Sequence, residues 1–258
     1  APRTFFADAA AMVVSCRRSG RATLHGTTRE APTTTATDPE VHVDARWAEL
    51  LDATASPTVI PIELPERYAS DDVVLVDRLL SPEESERLVA ASEDIGYGYT
   101  DYRKAYRGNL RLRTTDFELA AALWPRVRPL VPATLASGPD LWDAVGLNEH
   151  FRFAKYHRGD RFQRHVDAYF ARHPDERSMY TLNLYLTAAY EAGATRFFAD
   201  DRRTLDLVVK PDAPGLCLLF RQPPDRGLLH DGEPLGDAGF KYLLRSDVMY
   251  RRRPASSP

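Results

Sequence analysis

The sequence predicts an α+β fold in which a helical layer supports a jelly roll or β-barrel. Three observations carry that expectation. Helical patterns cluster before residue 146. From Gly146 onward the chain reads as short alternating strands, broken by turns such as Pro211-Asp212-Ala213-Pro214-Gly215. The 258 residues are 43% hydrophobic, enough to bury a core in one large domain without disulfides.

Residues 1–45 are rich in Thr, Ala and Arg and poor in large apolar groups. Such a stretch buries too little surface to offset its ordering entropy. It reads as a disordered tail or as the remnant of an organelle-targeting segment, with the ordered domain expected over 46–258. Residues 72–77 read as a buried strand. Ser81-Pro82-Glu83-Glu84 is a helix start: Ser81 as N-cap, Pro82 at the first helical position, Glu84 closing a capping box. Leu88, Val89 and Ile95 give that helix an apolar stripe. A second helix is expected over 116–131, with Phe117, Leu119, Leu123, Trp124 and Val127 on its buried side. Trp142 is assigned to the core, on a short helix. Beyond it, 148–156 and 180–187 alternate as strands do, the second with a polar face of Thr181, Asn183, Tyr185 and Thr187 that fits a barrel holding a charged ligand, followed by strands at 205–209, 215–220 and 240–249.

Composition bounds the partners. A formal net charge of −3 and a pI near 6.2 give no bulk attraction to nucleic acid or an anionic membrane, but leave room for a local basic groove. No apolar run approaches the roughly 18 residues of a membrane helix, so no membrane span is expected. The compartment stays open between a soluble cytoplasmic protein and an organelle. Cys16 and Cys217 lie in unrelated contexts, and Cys217 reads as a small core residue.

The chemistry concentrates in His165-Val166-Asp167 and a distant His230. In an extended backbone the two outer residues of H-x-D share one side. A second imidazole from another strand then completes two His and one carboxylate on one face of a metal, the arrangement of non-heme Fe(II) oxygenases. Zinc is disfavoured as the working metal because it has no redox chemistry. A basic strand, Lys241-Tyr242-Leu243-Leu244-Arg245, follows His230 and offers a cation to a dicarboxylate co-substrate.

With these residues in place the chain resembles the Fe(II)- and 2-oxoglutarate-dependent dioxygenases, in their prolyl 4-hydroxylase-like branch. The resemblance spans roughly 73–250. It rests on Tyr156-x-x-Gly159-x-x-Phe162-x-x-His165-x-Asp167, then Leu184-Tyr185-Leu186 and Gly193-Ala194-Thr195-Arg196-Phe197. It continues through Gly215-x-x-Leu218-x-Phe220, His230-x-Gly232-x-Pro234-Leu235, Gly239-Phe240-Lys241 and Arg245-Ser246-Asp247-Val248. It implies a double-stranded β-helix. It also implies hydroxylation of a prolyl residue or a small molecule, with 2-oxoglutarate and O2 as co-substrates, release of succinate and CO2, and ascorbate as a candidate auxiliary. By that resemblance His165, Asp167 and His230 hold the iron, Lys241 and Tyr185 meet the distal carboxylate of 2-oxoglutarate, and Tyr156 lies near its chelating end. The sequence departs from the pattern twice. The family's Gly-Gly-Glu-Thr appears as Ala192-Gly193-Ala194-Thr195. Lys241 also lies one residue further from His230 than is usual, while Arg245 has a spacing found in other branches. Lys241, Leu243 and Arg245 share a strand face, so either cation is a candidate anchor, with an ion pair to Asp247 as the alternative for Arg245.

Arg152, Tyr102 and Arg113 are the candidate substrate contacts, the last two from a Tyr- and Arg-rich stretch (97–113) that reads either as a lid or as a solvated loop. Arg251-Arg252-Arg253 reads as a solvated end. Two other functions stay open: oxidative demethylation of nucleic acid, suggested by the spacing of Arg245 and Arg251 but opposed by the acidic balance, and a non-catalytic metal-containing β-barrel that binds a ligand.

Overall fold

β-Strands dominate the computed structural model, which describes residues 46–52 and 57–254. The tail expected over 1–45, and Cys16 with it, lies outside the described residues. In chain order the elements are β1 (Thr58–Ile60), β2 (Val73–Asp77), α1 (Pro82–Ile95), β3 (Leu110–Thr115), α2 (Phe117–Val127), β4 (Thr134–Ser137), β5 (Asp140–Leu147), β6 (His150–Tyr156) and β7 (Phe162–His165). They continue with β8 (Ala171–His173), β9 (Glu176–Tyr185), β10 (Thr195–Phe198), β11 (Leu205–Val209), β12 (Leu216–Arg221), β13 (His230–Gly232) and β14 (Lys241–Arg252).

The strands form two sheets. A ten-stranded major sheet runs β1-β2-β12-β9-β14-β5-β4, with β6 and β3 added beside the first half of β14 and β8 beside β9. A four-stranded minor sheet runs β11-β10-β13-β7. β14 is the spine: Lys241 to Arg245 pair with β6, Val248 to Arg252 pair with β5, and its other edge pairs with β9 over nearly its whole length. Every strand pairing is antiparallel. Two such sheets facing one another make a jelly-roll-like fold.

The major sheet buries both faces because each carries its own apolar set. One face, with Phe151, Phe153, Leu182, Leu184, Leu219 and Leu244, packs against Leu88 of α1, Leu119, Leu123 and Val127 of α2, and Trp47. The other face, with Tyr156, Tyr185, Leu218, Phe220 and Leu243, packs against Phe197 and Val209 of the minor sheet. Cys217 is buried on the helix side, as expected of a small core residue.

Both helices start as their sequences direct. The Ser81 hydroxyl accepts from the Glu84 N–H at 3.1 Å and the Glu84 carboxylate accepts from the Ser81 N–H at 2.7 Å, a complete capping box with Pro82 at the first turn. The Asp116 carboxylate accepts from the Leu119 N–H at 2.8 Å and starts α2. The helices interleave with strands in the sequence. Two expectations are corrected. The second helix ends at Val127 and passes into a 3-10 turn, Arg128–Leu130, because Pro129 has no N–H with which to continue the α-helical ladder. Trp142 lies on β5, opposite Leu135 of β4; Gly138, at φ +59, makes the hairpin turn that converts the expected helix into two strands. Its core assignment holds.

Candidate metal centre

β7 and β13 are neighbours in the minor sheet, and their register sets His230 directly opposite His165. Asp167 follows two residues after His165, at the end of β7. The three side chains therefore converge: their ligating atoms all lie within 4.8 Å of one another. His165 Nε2 is 3.4 Å from Asp167 Oδ1, and His230 Nε2 is 3.8 Å from Asp167 Oδ2.

Backbone carbonyls fix both imidazoles. His165 Nδ1 lies 2.8 Å from Gln163 O and His230 Nδ1 lies 2.9 Å from Leu228 O. A carbonyl only accepts, so each Nδ1 carries the proton and each Nε2 presents its lone pair to the common point. Burial holds the His230 pKa down at about 4, against the opposing pull of Asp167, so this ring is neutral at physiological pH. Phe162 stacks on His165 at 3.6 Å between centroids, and Phe220 meets the His230 ring edge-on at 4.8 Å.

Asp167 is buried and held by polar partners on the major sheet. Thr181 Oγ1 donates to its Oδ2 at 2.8 Å, and Gln222 Nε2 donates to Thr181 Oγ1 at 2.8 Å. Arg245 Nη2 is 3.1 Å from the same Oδ2. Burial alone would raise this carboxyl, but Arg245 and the two histidines outweigh it and hold it well below the usual carboxylate range. Two imidazoles anchored through Nδ1 and one ionised carboxylate, hydrogen-bonded from behind, fit a divalent ion of the iron or manganese type.

The cations of β14 divide. Arg245 turns to Asp167 and to Asp247, 3.6 Å away. Lys241 is buried, its Nζ donating to Gly193 O at 2.6 Å between the rings of Tyr156 and Tyr185. Among the described residues no carboxylate lies within ion-pair distance of Lys241. Burial lowers its pKa from the ordinary lysine value to about 7, against the weaker pull of Glu233 and Asp231. Tyr156, Asn183, Thr195 and Lys241 line one inner cavity together with the triad. Tyr185 is fully buried just behind it, its hydroxyl donating to Thr195 Oγ1 at 2.6 Å.

An outer groove of about 360 Å³ adjoins this cavity at His165 and Asp167, lined by Tyr102, Arg107, Arg152, Val166 and Tyr169 among others. Arg152 lies 3.6 Å from Asp247. Arg113, Arg152 and Arg245 stand side by side in the register of β3, β6 and β14. Like charges directly opposite one another are unfavourable in a sheet, and Asp247 sits within 3.6 Å of two of them.

Sequence reading missed three parts of this site. Arg107, in both the cavity and the groove, lies outside any regular periodicity. Thr181 belongs to a polar strand face, with Asn183 and Thr187, that the sequence marks as inward and ligand-facing, but its bond to Asp167, and Gln222 altogether, emerge only from the register of β9 and β12. Ala192, where the resembled family has Gly, adopts φ +54, a conformation that favours glycine. Arg251 pairs with Glu176 at 2.8 Å rather than joining Arg245 in the cavity, which removes the paired-arginine support for nucleic-acid demethylation. Arg252 and Arg253, expected as a solvated end, are exposed but pair with Asp175 and Asp143.

No family model and no curated protein matches the sequence. The backbone is similar to solved prolyl hydroxylases. A Pseudomonas putida prolyl-4-hydroxylase matches with a TM-score of 0.51 at 18% identity, over 71% of this chain and 94% of that one. A Trichoplax adhaerens prolyl hydroxylase, solved with a peptide fragment of the hypoxia inducible factor oxygen degradation domain, matches with a TM-score of 0.52 at 17% identity, over 69% and 84%. The chain thus shares the fold of these prolyl hydroxylases. No helix among the described residues is long and apolar enough to cross a membrane.

Proposed function

We propose that this protein is an Fe(II)- and 2-oxoglutarate-dependent oxygenase that hydroxylates a peptidyl or small-molecule substrate. One observation carries the reading: a buried lysine with no carboxylate in ion-pair distance among the described residues shares a cavity with a His-Asp-His triad. A buried ammonium without an anion is costly, and a dicarboxylate that also reaches the triad would relieve that cost.

His165, Asp167 and His230 would hold the iron. Bound iron supplies redox chemistry, coupling conversion of 2-oxoglutarate to succinate and CO2 with insertion of one oxygen atom of O2 into a substrate C–H bond. The chain's own residues bind and orient. Lys241 takes the distal carboxylate of 2-oxoglutarate, with Tyr185 and Thr195 as neutral hydrogen-bonding groups beside it. Tyr156 closes the cavity wall between that end and the triad. Arg245, already shared between two aspartates, is a positioning residue that keeps Asp167 ionised. The two helices act as the supporting layer behind the major sheet. The outer groove, open to solvent above the triad, is where a substrate enters. The solved Trichoplax neighbour carries a peptide, which supports a groove of this kind accepting one here.

The test is binding and turnover together. Iron-loaded protein kept free of O2 should bind 2-oxoglutarate with a new visible absorbance, and admission of O2 should release succinate. Lys241→Met should raise the KM for 2-oxoglutarate by about 100-fold, the scale expected for losing a buried charge-assisted contact. Metal-loaded protein that binds no 2-oxoglutarate would refute the reading.

A further inference from the structure

Resting on the oxygenase reading above, we propose that the outer groove takes a substrate bearing a carboxylate on an apolar body, and that Arg107 is the residue that recognises the carboxylate. The Arg107 guanidinium lies 4.3 Å over the Phe162 ring, and Phe162 in turn stacks on His165. A fixed cation is thus two layers away from a metal ligand. Its Nε donates to Asn109 Oδ1 at 2.9 Å, which leaves the edge formed by the two terminal nitrogens for another partner. Among the described residues no carboxylate lies within ion-pair distance of Arg107. Arg152 and Arg245, in the same groove, both contact Asp247. Arginine does not escape this situation by losing its proton, so its terminal nitrogens are open to an anion from outside. The two-pronged edge matches the two oxygens of a carboxylate.

The cation is held in place rather than carried on a loose loop. Arg107 bridges to Phe162 of β7 in antiparallel pairing, and the Gly108 N–H donates to Arg161 O at 2.9 Å. A Cβ at Gly108 would stand 2.6 Å from Asp160 Oδ1 and 3.2 Å from Asp160 Cα, so a larger residue there would push the segment away from Asp160. The groove's rim is apolar: Tyr102, Val166 and Tyr169 are 50%, 41% and 44% exposed. That rim suits the apolar body of the substrate. Charge agrees. The two positive charges of a divalent ion and the two negative charges of 2-oxoglutarate cancel, leaving Arg107, Arg152 and Arg245 to face Asp167 and Asp247 along the groove. The two aspartates oppose a phosphate dianion more than a carboxylate monoanion.

The experiment uses the full chain loaded with Mn(II), which fills such a site without turnover, and saturated with 2-oxoglutarate. Calorimetry compares N-acetyl-proline, N-acetyl-leucine and N-acetyl-phenylalanine with their primary amides. At least one free acid should bind about tenfold or more tighter than its amide, the scale of a charge-assisted contact. Arg107→Gln should abolish the preference and Arg107→Lys should restore part of it. Acids and amides that bind alike, or do not bind at all, overturn the proposal on the wild-type protein alone, whether or not the variants fold. A preference that survives in folded Arg107→Gln overturns the role of Arg107. Binding of 2-oxoglutarate is measured first in the same cell. Its absence brings down the oxygenase reading and this inference with it, whereas its presence with no acid preference brings down this inference only.

Discussion

On the proposed function, two side chains near the triad, Thr181 and Lys241, should govern how tightly the site holds an ion and a co-substrate. Thr181 gives Asp167 a hydrogen bond from the major sheet. Thr181→Val keeps the shape and removes that bond, and metal affinity should fall by roughly 10- to 100-fold, read by titration with Mn(II). Lys241 sets a pH limit. Its pKa in the co-substrate-free protein is lowered to about 7, below its unfolded value near 10.4. On the proposed function, 2-oxoglutarate should bind below pH 7, where the ammonium is present. Above it the cation is lost, and the KM for 2-oxoglutarate should climb toward tenfold per pH unit. Folding responds with the opposite sign: between about pH 7 and the unfolded value the denatured chain holds more protons, so this group's contribution to stability increases with pH. A KM profile flat from pH 6 to 9 would contradict the assignment of Lys241.

Among the elements, the join between α1 and α2 carries an unusual electrostatic burden. Glu84 is fully buried, closes the capping box of α1, and meets Arg126 of α2 at 2.8 Å. Burial raises its pKa, but the Arg126 guanidinium and the Ser81 N–H outweigh that and hold it below the usual carboxylate range. Arg126→Met should leave an uncompensated buried carboxylate and cost about 3–5 kcal/mol at neutral pH, measured by urea denaturation. Glu84→Gln in the same background should recover part of the loss. If Arg126→Met alone costs under about 1 kcal/mol, the pair is not a structural joint between the helices.

For the whole molecule, what the sequence made readable divides along the range of the interactions. The capping box of α1, the strand at β9 and the shared face of Lys241 and Arg245 are local patterns, and each appears as a local structure, although β9 is buried on both faces rather than half-buried. His165, Asp167 and His230 were legible as a motif, but the register that sets one histidine against the other is a long-range fact. Arg107 lay within the Tyr- and Arg-rich stretch read as a lid or loop but was not singled out, and Gln222 was not legible, because their roles depend on which strands become neighbours. Trp142 was misassigned because a hairpin turn at Gly138 outweighed a helical reading of a short apolar segment.

The opposition of β7 and β13 has a dynamic consequence. β13 is three residues long, and a long connection precedes it, so few backbone bonds resist its parting from β7. An ion gripped by His165 on one strand and His230 on the other would rivet the seam. Metal should therefore raise the melting temperature, by an amount that grows with the logarithm of its free concentration. Stripping it with a chelator should speed amide deuteration along β7, β10 and β13, while β9 and the middle of β14, clamped within the major sheet, keep their slow exchange.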